Sequence, residues 1–179
     1  MISSLILILM RPVGTGQVLK VNSLVEFKNV ICDSVDKDFC RFEYCYLKSV
    51  NRTYKYVSGK VNLFQLPITN ATVNIGFYKR MNGYKPFLYN DTVDGCKFIK
   101  NQKGSPITKY YFDIFKNFSN INHSCPYNHD LIIEKLTTTA VNHQVTKVLP
   151  FPEGDYMLQM NWSANGVLRA ITKFFFSLT

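Results

Sequence analysis

The residues best equipped for chemistry cluster between His123 and Asp130, in the run His123-Ser124-Cys125-Pro126-Tyr127-Asn128-His129-Asp130. A thiol beside an imidazole can form a nucleophile and base pair, provided a third group orients the base. No nucleophile motif surrounds Cys125, and no assembled constellation accompanies it, so no catalytic residue is assigned and the chain is not expected to be an enzyme. His123, Cys125 and His129 could also supply three metal ligands. A fourth is missing, and a thiol in an oxidising compartment is consumed in a disulfide, so neither a metal nor any other cofactor is expected. His143 stands alone in a polar run and reads as a surface residue. Glycoside hydrolysis needs two acids flanking a cleft, and none of the twelve acidic residues is marked out by its surroundings.

The compartment follows from three signals that agree. Ile2 to Met10 is almost wholly apolar, and small residues follow at Gly14, Thr15 and Gly16. This has the form of a secretory leader with cleavage near Gly16, giving residues 1–16 as a signal peptide and 17–179 as one domain. Arg11 and the lack of a basic start depart from the ideal leader, yet nine apolar residues are too few for a span of about twenty. Asn-x-Ser/Thr triplets place possible glycan acceptors at Asn51, Asn70, Asn90, Asn117, Asn122 and Asn161. Five cysteines, Cys32, Cys40, Cys45, Cys96 and Cys125, leave one thiol over once four have paired.

The formal net charge of +9 invites a nucleic-acid partner. The Lys and Arg residues are scattered singly, without the stripe or motif such a partner requires. A basic solvated surface explains them, and it could also attract anionic lipid headgroups or glycans.

Alternating apolar residues predict strands over Val21–Ile31, Phe39–Val50, Tyr54–Leu66, Ala71–Lys79, Tyr84–Tyr89, Leu131–Leu136, Tyr156–Trp162 and the C-terminal run marked by Leu168, Ala170, Phe174 and Phe176. Asn82-Gly83 and Asn165-Gly166 are tight-turn signals between such runs. Val148–Gly154 reads as a corner. Cys40 and Cys45 are five apart, which on a regular strand puts them on opposite faces unless a bulge intervenes.

One helix is predicted over about 105–118, with Ser105 as N-cap and Pro106 at the first helical position. Ile107, Tyr110, Tyr111, Ile114, Phe115 and Phe118 share its apolar face. Cys96 and Cys125 flank it and read as a clip that pins the helix to a sheet edge. The fold class is therefore mainly β: an antiparallel β-sandwich of seven or eight strands with one amphipathic helix.

Fourteen Phe and eleven Tyr exceed what the turns and surface need. They serve either a filled core or an apolar pocket between the sheets. The pocket candidates are Tyr111, Ile114, Phe115, Phe118, Phe77 and Trp162. Two functions stay open: a binding protein for a lipid or other hydrophobic molecule, and an extracellular protein-interaction module with a filled core.

The blocks GYKPFLYNDTVDGCKF (Gly83–Phe98) and FSNINHSCPYNHD (Phe118–Asp130), with VEFKNVICDS, the LKSVNR of Leu47–Arg52 and LPFPEGDYMLQMNW, resemble an insect family of small secreted proteins that includes the CheB chemosensory proteins. That family is similar in architecture to the ML lipid-recognition domains. The resemblance covers nearly all of the chain after the leader. It implies an ML-like, immunoglobulin-like sandwich, a hydrophobic ligand and a part in gustatory or pheromone perception. It also implies disulfides among Cys32, Cys45, Cys96 and Cys125, paired as Cys96–Cys125 and Cys32–Cys45. Cys40 departs from the family pattern and is left unpaired, or competes for Cys32.

Overall fold

The computed structural model describes residues 24–148 and 150–179, so the leader predicted at 1–16 lies outside the described residues. Among the described residues, eight strands form two antiparallel sheets. They are β1 (Val25–Ser34), β2 (Cys40–Ser49), β3 (Lys55–Leu63), β4 (Ala71–Met81), β5 (Gly83–Asp94), β6 (Leu131–Thr137), β7 (Gly154–Ala164) and β8 (Val167–Leu178). One sheet runs β1-β8-β7-β4-β5 and the other β2-β3-β6. The protein is a mainly β, two-sheet antiparallel sandwich.

The sheets are unequal, and that inequality organises the rest. Three strands cannot cover five. The inner faces of β4 and β5 are covered instead by helical segments, α1 (Gly95–Lys100) and α2 (Pro106–Phe115). Asp94 ends β5 and caps α1, its carboxylate accepting from Lys97 N at 2.9 Å. The strand thus runs past the predicted Tyr84–Tyr89 and stops at Asp94, and Cys96 sits on a helix. A third helix, α3 (Thr138–His143), follows β6 and continues into a π-helical turn over Gln144–Val148. The Thr137 hydroxyl caps α3, and the Asn142 side chain accepts from Val25 N at 3.0 Å, tying the helix to β1. The single predicted helix is thereby corrected to three. Both additions are six residues long, too short for periodicity to declare.

Helix α2 begins at Pro106 as predicted, but its last turn tightens to a 3₁₀ form over Lys116–Phe118. Ser105 flanks it without a side-chain capping bond. Its buried side is also rotated from the predicted one. Ile107 is 52% exposed, while Phe112 is buried against Phe98 of α1, the rings edge to face at 5.4 Å. The neighbour α1 supplies an apolar partner that the sequence period of α2 alone does not show.

Bulges reset the faces of two strands. In β1 the register shifts between Phe27 and Asn29. Val25 and Phe27 are buried before it, but Val30 and Cys32 turn inward after it while Ile31 is exposed. An unbroken two-residue alternation would have put Asn29 and Ile31 on the face of Val25 and Phe27, and the bulge removes them from it. In β2 a shift between Phe42 and Tyr44 places Cys40 and Cys45 on the same inner face despite their odd spacing. Near the start of β8, Leu168 is 37% exposed, where the register with β7 shifts.

Cys32 and Cys45 are bonded, joining the β1 edge of one sheet to the β2 edge of the other with Cα atoms 6.2 Å apart. Cys96 and Cys125 are bonded across 5.5 Å, tying α1 to the loop before β6. Cys40 is a free, buried thiol, its Sγ facing Arg169 O at 3.6 Å. Burial raises its pKa, with the nearby Asp36 carboxylate adding to the effect, so the reactive thiolate is suppressed. The native protein is expected to show no reaction with a thiol reagent until denaturant is added, and one thiol per chain thereafter. Rapid native labelling of Cys40 would contradict this.

Candidate functional site

Between the sheets lies a cavity of about 240 Å³. Its position explains a division in the core. One cluster gathers Phe27, Phe77, Tyr111, Tyr156, Phe176 and their neighbours. A second gathers Phe39, Leu63, Ile68, Tyr127, Ala164 and Ala170. The cavity takes wall from both clusters, so the hydrophobic interior is interrupted where they would meet.

Each wall has a local cause. β7 presents Leu158, Met160 and Trp162 to the cavity, the inward set of its two-residue period. Met157, on the opposite face, is also buried, in register between Tyr78 and Phe175. Trp162 does not leave its ring N–H unpaired: it donates to the Thr172 hydroxyl at 3.0 Å. Helix α2 contributes Tyr111, Ile114 and Phe115, and β4 contributes Phe77. Phe77 is the hub of an aromatic nest, with ring centres 5.0 Å from Phe151, 5.3 Å from Tyr156 and 5.8 Å from Tyr111. Of the six pocket residues named from sequence, Phe118 alone is absent from the lining, and it packs against the neighbouring core.

Three contributors were not legible in the sequence. Val141 and Val145 line the cavity from α3 and its π-helical extension, and Phe151 enters from the Pro-Phe-Pro corner. The corner's Phe between two prolines was the only available signal. Cys32 and Cys45 also line the space, so that disulfide is both seam and wall.

Two lining residues carry buried hydroxyls with no hydrogen-bond partner, Tyr110 and Ser119. An unpaired buried hydroxyl costs about 1–3 kcal/mol. Burial alone holds the Tyr110 phenol well above its ordinary pKa, so it is a neutral donor and acceptor at every physiological pH.

The residues singled out for chemistry are held apart from this cavity's apolar centre. Cys125 is committed to its disulfide. His123 and His129 face each other, Nε2 to Nε2, at 2.7 Å. Tyr127 is buried beneath them, its hydroxyl donating to the carbonyls of Ile121 at 2.9 Å and His123 at 3.0 Å. His143 is exposed on α3. Asn51, Asn70, Asn90, Asn117 and Asn122 are exposed. Asn161 lies mid-strand in β7, half-buried, where its amide accepts from Gln159 at 3.1 Å and donates to Asn74 at 3.4 Å.

An interrupted hydrophobic interior between two sheets, walled by aromatic rings, defines this molecule as a cavity-bearing β-sandwich. The family model described as a protein of unknown function, DUF1091, matches residues 73–158. That is just under half of the chain, running from β4 to the middle of β7 and containing both cysteines of the Cys96–Cys125 clip. Among solved structures, the chain is similar to that described as "Crystal structure of a Niemann-Pick type C2 protein from Japanese carpenter ant", with 14% identity, 85% of this chain and 90% of that chain covered, and a TM-score of 0.29. No curated protein matches the chain. No helix among the described residues is long and apolar enough to cross a membrane.

Proposed function

We propose that this protein is a secreted, glycosylated carrier that holds a small hydrophobic molecule between its two sheets. The cavity is the observation that carries the reading. At about 24 cal/mol per Å³, a fully enclosed, unfilled void of this size would cost about 6 kcal/mol, an upper bound for this space. That is comparable with the whole stability of an ordinary domain, about 5–15 kcal/mol. An apolar guest recovers this free energy by restoring contacts along the walls. At about 30 Å³ per water-sized group, the space takes roughly eight non-hydrogen atoms. A short aliphatic molecule, or one end of a longer chain, fits that volume.

The unpaired hydroxyls of Tyr110 and Ser119 point to the guest's second property. A single hydroxyl, carbonyl or carboxyl group on an otherwise apolar molecule would give either one a partner. Tyr110→Phe is therefore expected to do two opposite things. It should stabilise the ligand-free protein by about 1 kcal/mol, by removing an unpaired buried hydroxyl. It should also weaken binding of 1-octanol more than binding of n-octane. Thermal melts with each additive provide the check, and equal losses for both would remove the hydroxyl's role.

The secreted reading is supported by the leader-like start, two disulfides and the acceptor triplets. Glycan is expected at the five exposed acceptors and least at Asn161, whose amide is already engaged. The chemosensory role is carried by the family resemblance of the Gly83–Phe98 and Phe118–Asp130 blocks. Calorimetric titration with 1-hexanol, small enough for the space, tests the carrier reading. One saturable site, lost when Ala170→Phe fills the cavity, is the expected result. Binding unaffected by that substitution would favour a protein-interaction module with a filled core.

A further inference from the structure

We infer that His123 and His129 form a clasp that opens in acid and loosens one wall of the cavity. The clasp joins two limbs of the loop between α2 and β6. The outgoing limb, residues 119–123, places Ser119 and Ile121 in the cavity lining. The returning limb, residues 125–130, is fixed from behind. Cys125 is bonded to Cys96 of α1. Tyr127 and Ile68 exchange backbone hydrogen bonds of 2.9 and 2.8 Å. Across the limbs, Asn120 donates to Asp130 O at 2.8 Å, and the Tyr127 hydroxyl reaches the carbonyls of Ile121 and His123.

The ring contact is the one that pH breaks. The two Nε2 atoms face each other at 2.7 Å, with ring centres 5.0 Å apart. That is a hydrogen bond, in which one ring donates N–H and the other accepts through its lone pair. The surroundings admit either donor. His123 Nδ1 lies 2.9 Å from Ser124 O. His129 Nδ1 meets both Asp130 O at 2.8 Å and the Asn120 amide nitrogen at 3.1 Å. Whichever ring donates, both cannot carry a proton on Nε2, because N–H would then meet N–H with two positive charges in contact. The linked pair therefore holds at most one positive charge, whereas separated rings hold two in acid. The open state binds the extra proton, so the clasp is held above the histidine range and lost as pH falls through it.

Nothing nearby offsets the second charge. Among the described residues no carboxylate joins the pair as a third member. The adjacent Asp130 turns its carboxylate to β3, where it accepts from Leu63 N at 2.9 Å and lies 3.8 Å from Lys60 Nζ. Lys60 itself pairs with Glu43 at 2.6 Å. Tyr127 packs its ring on His123 with centres 4.6 Å apart, and burial pushes its phenol pKa up, so it stays neutral. The returning limb keeps its disulfide and its bridge to Ile68 in acid. What loosens is the outgoing limb, and Ile121 with it. That this releases a guest rests on the carrier reading; the clasp itself does not.

The test uses the intact, disulfide-bonded chain. Hydrogen-exchange mass spectrometry between about pH 7.5 and about pH 5 spans the histidine range. After correction for intrinsic exchange, residues 119–124 are expected to open faster by up to about tenfold per pH unit, the limit for one added proton. His123→Gln supplies an amide that still accepts from His129 but takes no charge, so the acceleration should vanish. His143→Gln should retain it. Acceleration that is absent from the wild type, or undiminished in His123→Gln, overturns the clasp. Should that variant fold poorly, ring-nitrogen NMR of the wild type decides. His123 and His129 gaining charge as the loop opens supports the clasp, and opening with both charge states unchanged overturns it. Calorimetry with 1-hexanol separates this inference from the carrier reading. Binding that weakens in acid in the wild type, but not in His123→Gln, is expected. Equal binding at both pH values with the loop open overturns the loosened wall. No binding at any pH removes the carrier reading, while the exchange result still decides the clasp.

Discussion

Phe77→Ala is expected to lower the unfolding free energy by about 3–5 kcal/mol, the range for removing a large aromatic side chain from a packed core. Few positions in the chain have more to lose. Phe77 is 2% exposed, and its ring meets those of Phe87, Tyr111, Phe151, Tyr156 and Phe176. These come from β5, α2, the corner before β7, β7 and β8. One ring therefore joins the five-stranded sheet to the helix that covers it. Truncation also enlarges a cavity that the residue already lines, so the surroundings have less material with which to collapse. For a chain of this size the loss corresponds to roughly 6–20 °C in Tm. Urea unfolding of the purified variant measures it. A cost below about 1 kcal/mol would mean that the nest repacks freely and that the wall is not a fixed structure.

Replacing Cys96 and Cys125 together by serine is expected to cost about 3.5 kcal/mol. The bond closes a loop with a sequence separation of 29, and the chain-entropy relation gives about that value for such a loop. The same substitution at Cys32 and Cys45, with a separation of 13, should cost less, about 3 kcal/mol. The two losses differ in place as well as size. Without Cys96–Cys125, α1 loses its tie to the loop before β6, and α2 lies within the opened segment. Faster amide exchange confined to residues 95–118 is the expected signature in hydrogen-exchange mass spectrometry. Uniform loosening of both sheets, or no change over α1 and α2, would contradict the role of the bond as a local clip.

Much of the fold was legible because period-two alternation and turn residues are local signals. The Asn165-Gly166 turn lies between β7 and β8, and Leu158, Met160 and Trp162, alternate residues of the strand predicted over Tyr156–Trp162, line the cavity. What escaped was decided by contacts distant in sequence. The β1 bulge that turns Ile31 outward answers to pairing with β8, whose residues lie more than 130 positions away. Phe112 is buried because α1 lies beside it. Helix α3 is a Thr-rich six-residue segment whose intrinsic preference is weak, and it exists where the sandwich end must be closed against β1 and β6. The cavity was named as one of two alternatives, because aromatic composition cannot tell a filled interior from an interrupted one.

On the proposed reading, the space between the sheets holds an apolar guest. Mass spectrometry of the small molecules carried by natively purified protein tests it most directly. The expected result is a hydrophobic molecule with a single polar group, retained at up to one per chain by the wild type and missing from the Ala170→Phe variant. Wild-type preparations that consistently carry nothing, and that remain as empty as the filled variant after exposure to 1-octanol, would contradict it.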